Sequence, residues 1–569
     1  MQLKLNFSQD RNKALLLVLL VLIVYVPFLN NPLAFDDATF FNNSISNFAD
    51  APFVFNFRWF PYTSFGITWA FFGGEPFVFR VQNLLLHGMN VLMLMLALRL
   101  WISLFVAEPA RQHMANWGAW LGALVFACHP LAVYGTGYLV QRSILMATLF
   151  TLVMHLAYFR ALIDGDKRYA ALAVAGYFLA VFSKEHSLMV PAILLPMTWL
   201  MRAQIQLSRR ALLATWLGFF VTALIVVMRA KGILGATYEM DAVSLIGKEN
   251  MLQGVPMLHL LSVLTQAELF FKYLFLMIIP NPAWMSIDMR ENFILAYRDW
   301  TSWIGLAAYV SYGLGALFCL LRGGRLGLLG LALLYPWLLF LTEFSTIRIQ
   351  EPFVLYRAYL WMPVFLLLVP LLAGVGRIPC TMVRKAHPTH FRDEAHGQTE
   401  KLFAHPARTF MLIAALIALV LVPLSWNRLW VMADNYRLWD DAVKLLHGEN
   451  RLGAQRTYYG RGYYAAKDKG DWNSAIEDYK KSLEISTAFP PVRMALAGAY
   501  ANAGRNDEAR IEYDKAIEAD PQNAEFYYGK AFFLKKMRDD AGAMITMQKS
   551  CDLGKDMACA MVNLSKLRK

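Results

Sequence analysis

Eleven apolar runs of membrane length constrain this chain before any motif does. They lie at 14–29, 80–104, 115–133, 140–160, 168–184, 187–203, 211–229, 301–321, 326–342, 354–375 and 409–425. Each has roughly the 17–25 residues that a helix needs to cross a bilayer. In lipid every backbone group must find its partner within its own segment, so such runs can fold only as a polytopic helix bundle. Hydrophobic residues make up 57% of the 569 and charged residues 17%, which excludes an ordinary soluble domain.

Charge orients the runs. Arg11 and Lys13 precede the first, and no small-residue cleavage site follows it, so it reads as a retained signal anchor with its N-terminus cytoplasmic. Basic clusters then fall on alternate loops: Arg99 and Arg111; Arg160, Lys167 and Arg168; Arg202, Arg209 and Arg210; Arg322 and Arg325; and the long loop 376–408. By the positive-inside rule these loops face the cytoplasm. Segment 254–280 is apolar enough to span, yet it carries Gln266, Glu268 and Lys272, and counting it would reverse every later loop. It is therefore expected to be re-entrant or interfacial. The expected location is the bacterial inner membrane, multi-pass, with a transmembrane domain 1–426 and a periplasmic domain 427–569. Of the formal charge of +13, the C-terminal part holds 23 basic and 20 acidic residues, which leaves +10 on the membrane part. Orientation and lipid phosphates account for that excess, and no nucleic-acid partner is implied.

After Trp426 the composition turns polar and a repeat begins. Ala475, Ala509 and Ala543 are 34 residues apart, with Tyr479, Tyr513 and Met547 four positions after each, and Gly470 and Gly504 keep the same period. That is the period of tetratricopeptide repeats, with units near 456–489, 490–523 and 524–557 forming a C-terminal α-solenoid. Such a groove can present an acceptor protein or serve as a plain spacer. Cys551 and Cys559 flank a Gly-Lys turn in the last unit. A disulfide there suits an oxidising compartment; the alternative is two packed thiols.

Within the membrane part, polar residues gather at one side. Asp36-Asp37 follows the first run, His129 closes the third, Gln141-Arg142 opens the fourth, and Lys184-Glu185-His186 separates the fifth from the sixth. Glu343 to Arg357 lies between the tenth and eleventh apolar runs when segment 254–280 is also counted. Any one of these could be a helix-end residue snorkelling to the interface. As a set they point to a substrate path. Cations neutralise a phosphate leaving group, and a carboxylate takes a proton from an attacking hydroxyl, so the set suits transfer from a lipid-linked sugar phosphate. The loop 30–76 is rich in aromatics, which fits short interfacial helices, and its Arg58 could join the phosphate cluster. No histidines and carboxylates stand at metal-ligand spacing, and no cofactor is expected beyond the donor itself.

The strings FDDATFFNN, FRWFPYTSF, FRVQNLLLH, FACHPLAVYGTGYLVQRSILMATLF, FSKEHSLMVP and YRAYLWMP occur in this order ahead of the repeats. The chain thereby resembles the transmembrane-and-tetratricopeptide-repeat O-mannosyltransferase family and its bacterial relatives. The resemblance implies an all-α GT-C-type bundle of about eleven spans, a polyprenyl-phosphate sugar donor, and inversion at the anomeric carbon. It makes Asp36 the leading general base with Asp37 beside it, and Arg142, Lys184 and Arg357 the donor-phosphate ligands, a cluster that Arg58 of the first loop could join. His129 and Glu185 become supporting or acceptor-side groups; Gln141 and Tyr359 are grouped with them from the same strings, and Glu351 could supply a further carboxylate. Where the family has an acidic-basic pair before the tyrosine, this chain has Arg357-Ala358, which leaves the sugar open. The implied acceptor is a Ser or Thr of an exported protein. Other readings are transfer to a lipid or envelope glycan, and a membrane-anchored repeat scaffold for pilus or envelope assembly.

Overall fold

In the computed structural model, residues 7–50, 57–103, 109–231, 235–236, 257–349, 351–374, 406–448, 451–486 and 490–567 are described. Phe53, Phe55, Cys380 and most of loop 376–408 lie outside them. The described residues form helices joined by turns and loops, with no strand. Among them nine helices are long and apolar enough to cross a membrane, or ten if the pair 113–128 and 130–136, bent by 60° at His129-Pro130, counts as one span. The protein is a multi-pass membrane protein. Its outer helices show the expected apolar faces: Leu213 and Phe220, Leu314, Leu416 and Leu419 are all exposed. In water such a surface would be unstable, and in lipid it costs nothing.

Two expected spans are shorter than a regular membrane helix. Lys167–Ser183 packs back on Arg142–Asp164, its start capped by Asp166, which accepts from Arg168 N at 2.8 Å. The return runs through a 3-10 helix, Glu185–Ile193, and a short α-helix, Leu194–Leu200. It ends where Gln206 N donates to Leu162 O at 2.7 Å, at the far end of the bundle from Glu185. The 3-10 form rises about 2.0 Å per residue against 1.5 Å for the α-form, so sixteen residues achieve the crossing.

Leu258–Ile278 is one of the nine long apolar helices, yet its bonds keep it on one side. Ser262 Oγ accepts from Arg348 N (2.9 Å), Gln266 Nε2 donates to Pro352 O (2.8 Å), and Tyr273 OH accepts from Val354 N (2.7 Å). Residues 284–294 run back along it, with Trp284 against Phe275, Glu291 on Lys272, and Ile294 N donating to Thr265. These contacts agree with the expectation that the helix lies across the face that also carries Asp36, and so does connectivity. If the helix crossed, Glu343–Arg357 would fall on the opposite side from Arg58 and Glu185, yet His186 touches both Glu185 and Glu343.

The C-terminal helices pair as Ala454–Lys469 with Trp472–Ile485, Pro490–Asn502 with Asn506–Ala519, and Ala524–Lys536 with Asp540–Asp552, and Asp556–Leu567 follows. Gly470 and Gly504 turn the chain at φ +64° and +79°, and 34 residues on Arg538 takes the same left-handed turn at φ 62°. Cys551 and Cys559 are joined by a disulfide across the last turn. The solenoid rests on the Asp36 face through Trp439 against Phe35, through Asp441 accepting twice from Arg428, and through Leu452 between Phe293 and Ile349.

In a Cys319→Ser, Cys380→Ser background, Met257→Cys and Ile279→Cys, both at exposed helix ends, are expected to react with a membrane-impermeant maleimide from one and the same side. Arg322→Cys should react from the other. Labelling of the first two from opposite sides would show that the helix crosses.

Candidate functional site

The first loop builds its own small core. Phe40, Phe41, Phe65 and Phe79 pack with Phe48, Tyr62 and Trp69, so most of these rings hold the helices Asp36–Asn43, Ile45–Asp50 and Trp59–Phe72 together; only Phe71 and Phe72 are largely exposed. This platform places the two aspartates differently. Asp37 is fully buried and accepts from Leu139 N (3.2 Å) and Val140 N (2.8 Å), clamping the turn that leads to Gln141. Burial pushes its carboxyl up to about 7, against the pull of the Val140 N–H and of the Arg80 charge. Asp36 is exposed, its backbone N–H donating to Tyr138 OH at 3.1 Å. Its side chain opens into a recess formed with Tyr134, Tyr138, Asp288, Glu351 and Tyr356. Enclosure there and then the charge of Glu351 raise the Asp36 carboxyl above the ordinary carboxylate range.

Next to this recess lies a network of charges. Glu185 accepts from Arg58 Nε at 3.0 Å and from its Nη2 at 2.5 Å, His186 touches Glu185 (3.5 Å) and Glu343 (3.3 Å), and Glu343 binds Arg357 (2.6 Å) and Arg348 (3.5 Å). Lys184 donates to Gln141 (3.4 Å) and lies 4.9 Å above the ring of Tyr356, which also lines the recess. Glu185 and Glu343 thus stand among the basic side chains of Arg58, Lys184, Arg348 and Arg357. A cavity of about 350 Å³ opens beside them, lined by Arg58, Glu185, His186 and Arg348 on one side and by Val226 and Val227 of a lipid-facing helix on the other.

Of the residues expected at the site, Asp36 and Glu351 line the recess and Arg58 and Glu185 line the cavity, while Gln141, Lys184 and Arg357 are buried in the network beside them. Arg142 does not join them: it is buried, with Nε donating to Asn83 (3.0 Å), Nη1 to Ser64 (3.1 Å), and its plane 4.0 Å from Phe65. It anchors the first-loop platform to the bundle. His129 caps the helix Pro130–Thr136 by accepting from Leu131 N. Tyr359 is buried in the bundle, bonded to His87 (2.8 Å) and Asn90 (3.2 Å). Sequence reasoning missed Asp288 and Arg456. Arg456, on the first paired solenoid helix, reaches Glu351 at 3.0 Å, Asp288 at 4.0 Å and the face of Phe35 at 4.6 Å. No local signal marks it, because its partners are more than a hundred residues away. Among the described residues no three His, Cys, Asp or Glu side chains converge as a metal-ligand set.

Asp37→Asn leaves one of two buried N–H groups without an acceptor, which costs about 1–3 kcal/mol, whereas Asp36→Asn, at an exposed position, should stay within about 0.5 kcal/mol of wild type. With its folded pKa raised, Asp37 adds stability that is fully present below the unfolded value and lost as pH rises through about 7. Thermal unfolding in detergent from pH 5 to 8 is therefore expected to lose part of its pH dependence in Asp37→Asn.

Residues 466–531 match the tetratricopeptide repeat family model. Over 122 residues the chain is 33% identical to Protein O-mannosyl-transferase TMTC4 of Homo sapiens, a match that covers 21% of this chain and 16% of that protein. The chain is a multi-pass membrane protein with a tetratricopeptide-repeat domain, similar in part to an O-mannosyl-transferase.

Proposed function

We propose that the protein is a membrane glycosyltransferase that moves a single sugar from a polyprenyl-phosphate donor to a hydroxyl, in the favoured case a Ser or Thr of an exported protein. The observation that carries this reading is that Lys184, in a network rich in basic side chains with a lipid-side cavity, lies over Tyr356, which lines the recess of one exposed carboxylate, Asp36. A phosphodiester anion needs the cations, and an isoprenoid tail needs an apolar exit such as the one beside Val226 and Val227. The partial similarity to a human O-mannosyl-transferase and the repeat domain support the same reading.

In this mechanism Asp36 takes the proton of the acceptor hydroxyl as its oxygen bonds to the anomeric carbon. The bond from that carbon to the phosphate oxygen breaks with its electron pair. The polyprenyl phosphate leaves, and Arg58, Lys184, Arg348 and Arg357 meet its added charge. A single displacement inverts the anomeric centre. The raised proton affinity of Asp36 suits a base that must accept a proton in the transition state and release it afterwards. The repeat domain, set on the rim of the recess, would bring the acceptor chain to Asp36, on the periplasmic face of a bacterial inner membrane.

Intact masses of envelope proteins from cells expressing wild type and Asp36→Asn at equal levels test this. The expected result is loss of a hexose- or pentose-sized increment from at least one exported protein, with a fall of at least about 100-fold in transfer, the lower range of general-base contributions. Loss of a sugar from a glycolipid or wall polymer would instead identify a lipid or glycan acceptor. No change in either would overturn the assignment.

A further inference from the structure

The recess around Asp36 is not made by the membrane domain alone. Asp36, Asp288 and Glu351 put three carboxylates on its wall, with the phenols of Tyr134, Tyr138 and Tyr356 between them. Asp37 lies buried behind, under the opposing pull of the Arg80 charge. From the membrane domain, Arg290 serves Asp288 at 2.6 Å. Glu351 is met from outside, by Arg456 of the solenoid helix Ala454–Lys469. The same guanidinium approaches Asp288 and stacks over Phe35, the residue that precedes Asp36 and holds a left-handed φ of 52° at the start of its helix.

We propose that Arg456 is a positioning residue of this site: by holding Glu351 and Asp288 and covering Phe35, it completes the recess around Asp36, so that the site is whole only with the solenoid docked. The proposal deepens the glycosyltransferase reading, because Asp36 gains a reaction to serve only there. Its physical content is independent of that reading. An opposite charge within about 4–6 Å favours the ionised form of a carboxylate by 1–3 pK units, and a like charge opposes it. Arg456 therefore lowers the proton affinity of Asp36, against Glu351 and Asp288, which raise it. Loss of the docked solenoid would leave the three carboxylates crowding one another and Asp36 holding its proton. A base that already holds a proton cannot take one from an acceptor. Acceptor capture by the solenoid and readiness of the base would be joined through one side chain.

The test is the pH dependence of Asp36 labelling by dicyclohexylcarbodiimide, which modifies protonated carboxyls, in the purified full-length protein. Labelling is read by peptide mass spectrometry, with Asp36→Asn as the blank. Arg456→Gln should raise the labelling midpoint by about one pH unit, tenfold in proton affinity. Arg456→Lys should bring it back toward wild type, and Glu351→Gln should lower it. A purely structural role would move Arg456→Gln and Glu351→Gln the same way or neither, and either result overturns the proposal. Should Arg456→Gln not purify folded, Glu351→Gln keeps the test, since an unchanged or raised midpoint there also overturns it. Sugar transfer by the same variants separates the two ideas. Shifted labelling with no transfer in any variant, wild type included, would leave Arg456 its role and remove the glycosyltransferase. Transfer that depends on Asp36 with an unmoved midpoint would do the reverse.

Discussion

Everything at this site depends on how the protein keeps a dense set of charged side chains out of water. Glu185 and Glu343 stand among Arg58, Lys184, Arg348 and Arg357, and several of these side chains are almost completely buried. Burying ions costs several kcal/mol each even when they are paired, so such a cluster weakens the fold. Hydrophobic residues of the same volume would give a more stable bundle. On the proposed reading, a lipid-linked phosphate would join these basic side chains beside the apolar cavity. The helix Leu258–Ile278 lies across the face and ties residues 348–354 in place, while the 3-10 crossing after Lys184 brings His186 between the two glutamates.

The two aspartates divide along the same logic. A pair of adjacent carboxylates in a helix's first turn points in two directions, about 100° apart in an α-helix. One direction meets the turn before Gln141, where two backbone N–H groups await an acceptor. The other meets open space. Asp37 therefore supports, through Leu139 and Val140, the turn that positions Gln141 and with it Lys184, and Asp36 is left to face the recess. The platform that carries both is itself held by Arg142, which links Asn83, Ser64 and the ring of Phe65.

Much of this was legible in the sequence, for identifiable reasons. Apolar runs and a 34-residue period are local signals, and they foresaw the bundle and the solenoid. The charges within segment 254–280 drew attention to it, and Gln266 and Lys272 find their partners at residues 352 and 291. Charge at a helix end also drew attention to Arg142, but charge alone does not reveal that polar groups of two neighbouring helices already surround it. The burial of Tyr359 and the capping role of His129 were likewise hidden. Arg456 and Asp288 were missed because their meaning is entirely tertiary: an arginine in a polar helix is unremarkable until the fold sets it against Glu351.

The central claim is the proposal that the basic network around Glu185 and Glu343 holds a lipid-linked phosphate. Native mass spectrometry of the detergent-purified protein with added polyprenyl phosphate tests it most directly, comparing wild type with Arg357→Gln and with Arg437→Gln, which alters a cation outside the network. Retention of one polyprenyl phosphate by wild type and Arg437→Gln, and its loss or a tenfold or greater weakening in Arg357→Gln, is the predicted result. Equal retention by all three proteins, or none by any, would contradict it.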